Sequence, residues 1–251
     1  MHPGSTKRKK SQRSKTSYKH NQIGTSLQPA TGTGGPCVGC HMTPARHTFK
    51  GWTKDPATER ITAVTSLSCA TCHTDMTPDT MNEEKEMFEA ALAALDAQLA
   101  TKGFYFSVGN NPYFFIAPYD PTYTTPVGAC ATKNLSVYNW QTGGTTTWTW
   151  NGTTCTRSIG NPGTAGTGDK NMGAAYNLNL LAHDPGAYTH NRTYAKRLIW
   201  DSIDWADDEI LNNSVMTTVD ALVAAGTLTA DQKAKIVTYY TPRAGPPPAR
   251  P

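Results

Sequence analysis

Two short stretches carry paired thiols followed at once by an imidazole: Cys37-Val38-Gly39-Cys40-His41 and Cys69-Ala70-Thr71-Cys72-His73. Two cysteines three positions apart can each add to one of the two vinyl groups of a single porphyrin. A histidine in the next position is then held beneath the iron, where a ring nitrogen can coordinate it. The spacing therefore predicts two covalent haem c groups, one on Cys37 and Cys40 with His41 as proximal ligand, the other on Cys69 and Cys72 with His73. A four-cysteine zinc site shares the paired Cys-x-x-Cys pattern but has no need of a histidine directly after each pair. No βαβ pattern surrounds either motif, as a thioredoxin-like redox pair would require.

Each iron has a second axial position. Five further histidines could fill it: His2, His20, His47, His183 and His190. His47 lies too close to His41 to wrap round the same porphyrin with ease, so it is assigned to the haem on Cys69 and Cys72. His183 and His190 flank a Gly-Ala-Tyr-Thr turn, and one of them closes an iron. His190 is favoured because a helix follows it at once. His2 and His20 could serve an iron of an adjacent copy. Met42 and Met76 are thioether alternatives, but they sit beside the proximal histidines. An enzyme, such as a dihaem peroxidase or a reductase of small oxyanions, would keep one iron open with acid–base groups nearby. No catalytic cluster lies beside either motif, so no catalytic residue is assigned.

The elements that must position these groups are sparse. Hydrophobic residues make up 37% of the 251, against 21 Gly and 17 Pro, which is poor material for a conventional core. Two porphyrins would replace part of the missing apolar mass. The fold class expected is mixed and loop-rich: mainly α with few long helices, a covalent dihaem core and a small β-rich subdomain. Residues 1–36 read as a basic extended arm, and 37–102 as the dihaem core plus one helix. Residues 103–170 read as a β-rich Thr/Gly/Trp subdomain, 171–241 as a helical segment with a distal ligand, and 242–251 as a Pro-rich tail.

Within these, a strand-like run covers Ile61 to Leu67, and a helix covers 79–102, capped by Asp79 or Thr80. Its apolar stripe is Met87, Phe88, Ala91, Leu92, Leu95 and Leu99. Residues 145–150 read as a strand with a tight turn at Asn151-Gly152. A helix from about Asn191 to Trp205 would bury Tyr194, Leu198, Ile199 and Ile203. A last helical pair over 217–240 breaks at Gly226 and restarts at Thr229.

The two remaining cysteines, Cys130 and Cys155, suggest a disulfide, which shares an oxidising compartment with covalent haem. Met1 is followed by polar and basic residues without the apolar run of a secretory leader, so the chain reads as a mature form or fragment of an exported protein. No apolar run is long enough for a transmembrane helix. The formal charge of +4 would be brought close to neutral by four haem propionates, which argues against a nucleic-acid partner.

The segments CVGCHM…RHTF, ITAVTSLSCATCH, LAALDAQLATKGFYF…NPYFF and GAAYNLNLLAHDPGAYTHNRTYAKRLIWDSIDW resemble the C-terminal modules of large multihaem c-type cytochromes of metal-reducing bacteria. The likeness covers roughly residues 37–205, and its last segment is the most specific. It implies that His47 and His190 are axial ligands. It also implies an electron carrier at or beyond the cell surface, with the periplasm as second choice, acting with redox partners or extracellular acceptors. Some members of that family assemble into filaments in which a histidine of one subunit ligates a haem of the next. The implied partners therefore include other copies of this chain, with His2 or His20 as the reaching ligand.

Overall fold

The computed structural model describes residues 22–26, 32–42, 51–66, 68–69, 73, 76–115, 117–122, 146–150, 155–159, 167–241 and 248–251. It divides into two compact units, the first ending at Asn82 and the second starting at Glu83. The boundary falls inside a helix, and the β-rich and helical stretches of the second half share one unit.

In the first unit a short helix α1 (Pro36–His41) holds the first thiol pair. Its start is fixed by a close backbone approach. Gly24 has φ +69°, and a Cβ there would stand 2.1 Å from the Gly35 carbonyl oxygen, while Gly35 N donates to Gly24 O at 2.9 Å. Only glycine tolerates both conditions. Ile23 is buried beside it, so the stretch read as an extended arm contains a folded turn at 22–26.

A hairpin follows, β1 (Trp52–Lys54) with β2 (Ile61–Val64), in the register Trp52↔Val64 and Thr53↔Ala63, with an irregularity before Lys54↔Ile61. Its turn is built by Asp55, whose carboxylate accepts from the amides of Thr58 and Ala57. These bonds hold that carboxyl below the usual range. The strand ends at Val64, not Leu67, because Thr65 N and Ser66 N turn back to the Gly51 carbonyl at 2.8 and 3.0 Å. The buried Asn82 amide serves Ile61 twice, accepting from its N–H and donating to its carbonyl, both at 2.9 Å.

Helix α2 (Pro78–Thr101) is capped by Thr77, not by Asp79 or Thr80. Thr77 Oγ1 accepts from Thr80 N at 3.2 Å, and Thr80 Oγ1 accepts from Thr77 N at 2.9 Å. Proline at the first helical position suits this start, where its missing N–H costs nothing. Gly103 ends the helix with φ +86°.

The second unit contains the rest of α2 with α3 (Thr167–Ala182), α4 (Ala187–His190), α5 (Arg192–Asp208), α6 (Val215–Ala224) and α7 (Ala230–Tyr240). It also holds two hairpins, β3 (Tyr105–Phe106) with β4 (Phe114–Phe115) and β5 (Thr146–Trp150) with β6 (Cys155–Ile159). Its core includes Ala91, Leu95, Leu99, Phe104, Ile199, Trp200, Ile203, Val219 and Ile236. Trp150 pairs with Cys155, and the expected tight turn at Asn151-Gly152 lies outside the described residues. No helix among the described residues is long and apolar enough to cross a membrane.

The buried face of α5 is rotated from the expected one. Tyr194 is 56% exposed and Leu198 half-buried, while Ala195, Ile199, Trp200 and Ile203 are interior. At about 100° per residue Tyr194 lies opposite Ile203, so a single stripe could not include both.

Two charged groups sit where burial opposes charge. Lys196, between α5 and α7, lies 4.0 Å from the Tyr239 ring centroid and 3.7 Å from Glu84. Burial pushes its ammonium down to about 8, against the pull of Glu84. Asp96 on α2 is pushed up to about 6 by burial, against the Phe106 amide that favours its charged form. The folded protein therefore holds the Asp96 proton where the unfolded chain has released it, and stability falls as pH rises from about 4 to about 6. Asp96→Asn is expected to raise stability at pH 7 by about 1–2 kcal/mol, after allowing for solvent screening. It should also flatten that acid-side slope, as read from melting curves at pH 4 to 7; an Asn variant that melts below the parent at pH 7 would contradict this.

Candidate haem-binding site

In α1 the three groups of the first motif share one face. Successive residues turn by about 100°, so Cys37, Cys40 and His41 fall within an arc of about 100°. Cys37 is exposed, Cys40 and His41 are half-buried, and Gly39 points its backbone inward. The His41 ring meets Trp52 in a T-shaped contact at 5.8 Å and 63°. Gly51 lies beneath: a Cβ there would sit 3.3 Å from the Cys40 carbonyl oxygen and 3.8 Å from His41 Nδ1.

In the second motif His73 N donates to the Cys69 carbonyl at 2.8 Å. The buried Ser68 hydroxyl, one residue ahead of this motif, donates to the Gly39 carbonyl inside the first. The two attachment segments are thus tied directly to each other. A porphyrin needs thiols at its rim and an imidazole beneath its iron. The half-buried to exposed Cys37, Cys40 and His41 on one helical face meet that requirement without unpacking a core.

In the second unit His183 and His190 stand at the ends of one turn. The Asp184 carboxylate organises it, accepting from Gly186 N at 2.9 Å and facing His190 Nδ1 at 3.2 Å. A carboxylate on Nδ1 fixes the tautomer that leaves the Nε2 lone pair for a metal. The ring packs on Gly186, where a Cβ would come within 2.4 Å of His190 Cε1. Gly186 has φ −109°, so space and not backbone conformation demands glycine here. Asn191 then caps α5, its side chain accepting from Tyr194 N at 3.3 Å. Sequence reasoning placed His183 and His190 on either side of a turn and gave Asp184 no role. Asp184, six residues before His190, was the missed positioning group.

Of the other sequence-assigned residues, His2, His20, His47, Cys72 and Cys130 lie outside the described residues, and Cys155 is described only by its backbone in β6.

Over 216 residues, 84% of its length, the chain is 44% identical to the C-type polyheme cytochrome OmcB of Geobacter sulfurreducens. It is equally similar, over 215 residues, to the C-type polyheme cytochrome OmcC of the same organism. The chain is a multihaem c-type cytochrome module. Both relatives are by name c-type polyheme cytochromes, which accords with the two haem-attachment motifs of this chain. The module spans about a quarter of the length of these curated relatives. No protein-family model matches it, and no solved structure does.

Proposed function

We propose that this cytochrome module carries two haem c groups, on Cys37, Cys40 and His41 and on Cys69, Cys72 and His73, and relays single electrons outside the cytoplasm. When bound, each haem supplies an iron that alternates between ferric and ferrous states. The polypeptide holds the groups close, excludes water and sets the potential through axial ligation and burial. The observation that supports this most is the bond from Ser68 to Gly39, because it fixes two consecutive attachment segments against each other. His47 and His190 are the proposed distal ligands, and Cys130 with Cys155 the proposed disulfide. Partners are redox proteins or extracellular acceptors, and other copies of the chain, including assembly into filaments at the cell surface.

Intact mass together with a ferric absorption spectrum tests the reading. The expected result is the added mass of two haems and a spectrum of low-spin iron alone. A single haem mass, or a high-spin iron that binds cyanide or peroxide readily, would overturn it. Filament assembly is read by light scattering and electron microscopy of the native material, where a strictly monomeric protein would remove that part.

Gly186→Ala gives a sharper test of His190. The added methyl is expected to drive the imidazole off Gly186 and away from Asp184, turning one iron high-spin while both haem masses persist. An unchanged low-spin spectrum would remove His190 from the ligand set.

A further inference from the structure

Two histidines flank the turn that follows α3, and among the described residues only one of them is given an anion. His183 Nδ1 lies 2.9 Å from the Asn179 carbonyl oxygen, a neutral group, and its ring meets Tyr113 at 4.7 Å and 68°. His190 Nδ1 instead lies 3.2 Å from both oxygens of the Asp184 carboxylate. Asp184 is the immediate neighbour of His183 in sequence, yet it reaches forward six residues to the other imidazole. A carboxamide or hydroxyl oxygen would serve as well to accept from Gly186 N and shape the turn. That role leaves the second carboxylate oxygen, beside the ring, unexplained.

The turn holds the pair together. Ala187 N donates to the Asp184 carbonyl at 3.0 Å, and Thr189 N and His190 N both donate to the Gly186 carbonyl at 2.8 Å. The Thr189 hydroxyl adds a bond to the same carbonyl at 2.9 Å. Among the described residues no lysine or arginine pairs with Asp184, whose ion-pair partner is His190. No fixed cation therefore cancels its charge. For stability the pair counts little, because the two side chains are 52% and 41% exposed, where such pairs contribute about 0–1 kcal/mol. Its bearing is on a metal. An anion on the Nδ1 proton makes the ring a stronger donor through Nε2. Ferric iron carries one positive charge more than ferrous iron, so the same anion favours the ferric state.

We propose that Asp184 is a positioning residue that, through His190, lowers the midpoint potential of the haem His190 ligates. The inference rests on the haem c reading above, with His190 as a distal ligand. With water displaced from one side of the ring by a bound porphyrin, the carboxylate acts with less screening. An electron shared by the two haems is thereby biased toward the other one.

The test uses redox titration of the haem-loaded full chain, with electron paramagnetic resonance to report spin state. Asp184→Asn and Asp184→Ala are expected to keep both irons low-spin and to raise one midpoint potential, leaving the other in place. At a fixed poise the ferrous-to-ferric ratio of that haem should rise about tenfold, which is about 59 mV for a one-electron couple. Asp184→Glu keeps the charge and is expected to lie closer to the parent than either. Unshifted potentials in low-spin Asn and Ala variants overturn the proposal. An equal shift in all three variants also overturns it, since a merely structural role would give that result. A high-spin iron in both the Asn and Ala variants reduces Asp184 to a prop for the ring, and overturns it as well. His190→Gly keeps the underlying reading separate. If both irons stay low-spin there, His190 leaves the ligand set, and absence of haem mass defeats the cofactor assignment itself. If one iron turns high-spin there and recovers with imidazole, while the Asp184→Ala potentials match the parent, only this proposal fails.

Discussion

Replacing Cys37 and Cys40 together by alanine is expected to remove one haem per chain and to loosen the first unit, leaving the second intact. Among the described residues, that unit buries only Ile23, Ile61 and Met81 as large apolar side chains. The second unit buries Leu95, Leu99, Phe104, Ile199, Trp200, Ile203 and Ile236, among others. Helix α1 has six residues, far below the length at which a helix persists alone. Its supports among the described residues include the Gly24–Gly35 contact, the Ser68 bond to Gly39 and the His41–Trp52 ring contact. Without the tetrapyrrole anchored on its exposed face, it has little to hold it. Cleavage by protease within residues 32–42 should accelerate at least about tenfold, equivalent to about 1.4 kcal/mol of opening free energy. Intact mass should fall by one haem. Retention of both haem masses, or unchanged protease resistance, would refute the expectation.

Asp204→Ala is expected to destabilise the second unit strongly. Asp204 is 1% exposed, and its carboxylate accepts from Asn213 N at 2.9 Å, Ser214 N at 2.6 Å and the Ser214 hydroxyl at 3.0 Å. These bonds hold the turn between α5 and α6, where Glu209 and Asn213 both have φ +67°. Truncation loses three charge-assisted bonds and takes the carboxylate acceptor from the Asn213 amide, while Ser214 N keeps Asn212 Oδ1 at 3.0 Å. The cost should be on the order of 3 kcal/mol, which for a unit of this size corresponds to a melting temperature lower by roughly 6–12 °C. Asp204→Asn keeps one acceptor and should lose about half as much. A scan in which Asp204→Ala melts within about 2 °C of the parent would show that the turn is held by something else.

The attachment motifs were legible because their chemistry fixes residue type and spacing together. Cys37, Cys40 and His41 must be neighbours in sequence to meet one porphyrin. The helix over 78–101 was legible for a similar reason, since Phe88, Ala91, Leu95 and Leu99 repeat at the helical period. Its cap was misplaced by two or three residues, because Thr77 bonds through a reciprocal Thr77–Thr80 pair that resembles any polar stretch ahead of a proline. Tyr194 was misassigned because apolar character outweighed angular position, whereas packing on α5 selected the small Ala195 and the polar Ser202 and Asp204. The pose of His183 was illegible: it depends on Tyr113, seventy residues upstream, and on a carbonyl whose residue type is immaterial. Asp184 could have been found, since a carboxylate six residues before a ligand histidine is a partner to look for.

The double bond from Asn82 to Ile61 has a wider consequence. The backbone groups of Ile61 that face away from β1 would otherwise form an open edge, a template on which a foreign strand could be laid. A single carboxamide closes it by imitating the peptide group of an absent third strand. At Ile61 the small two-stranded ribbon therefore offers no free backbone pair on which another chain could add a strand.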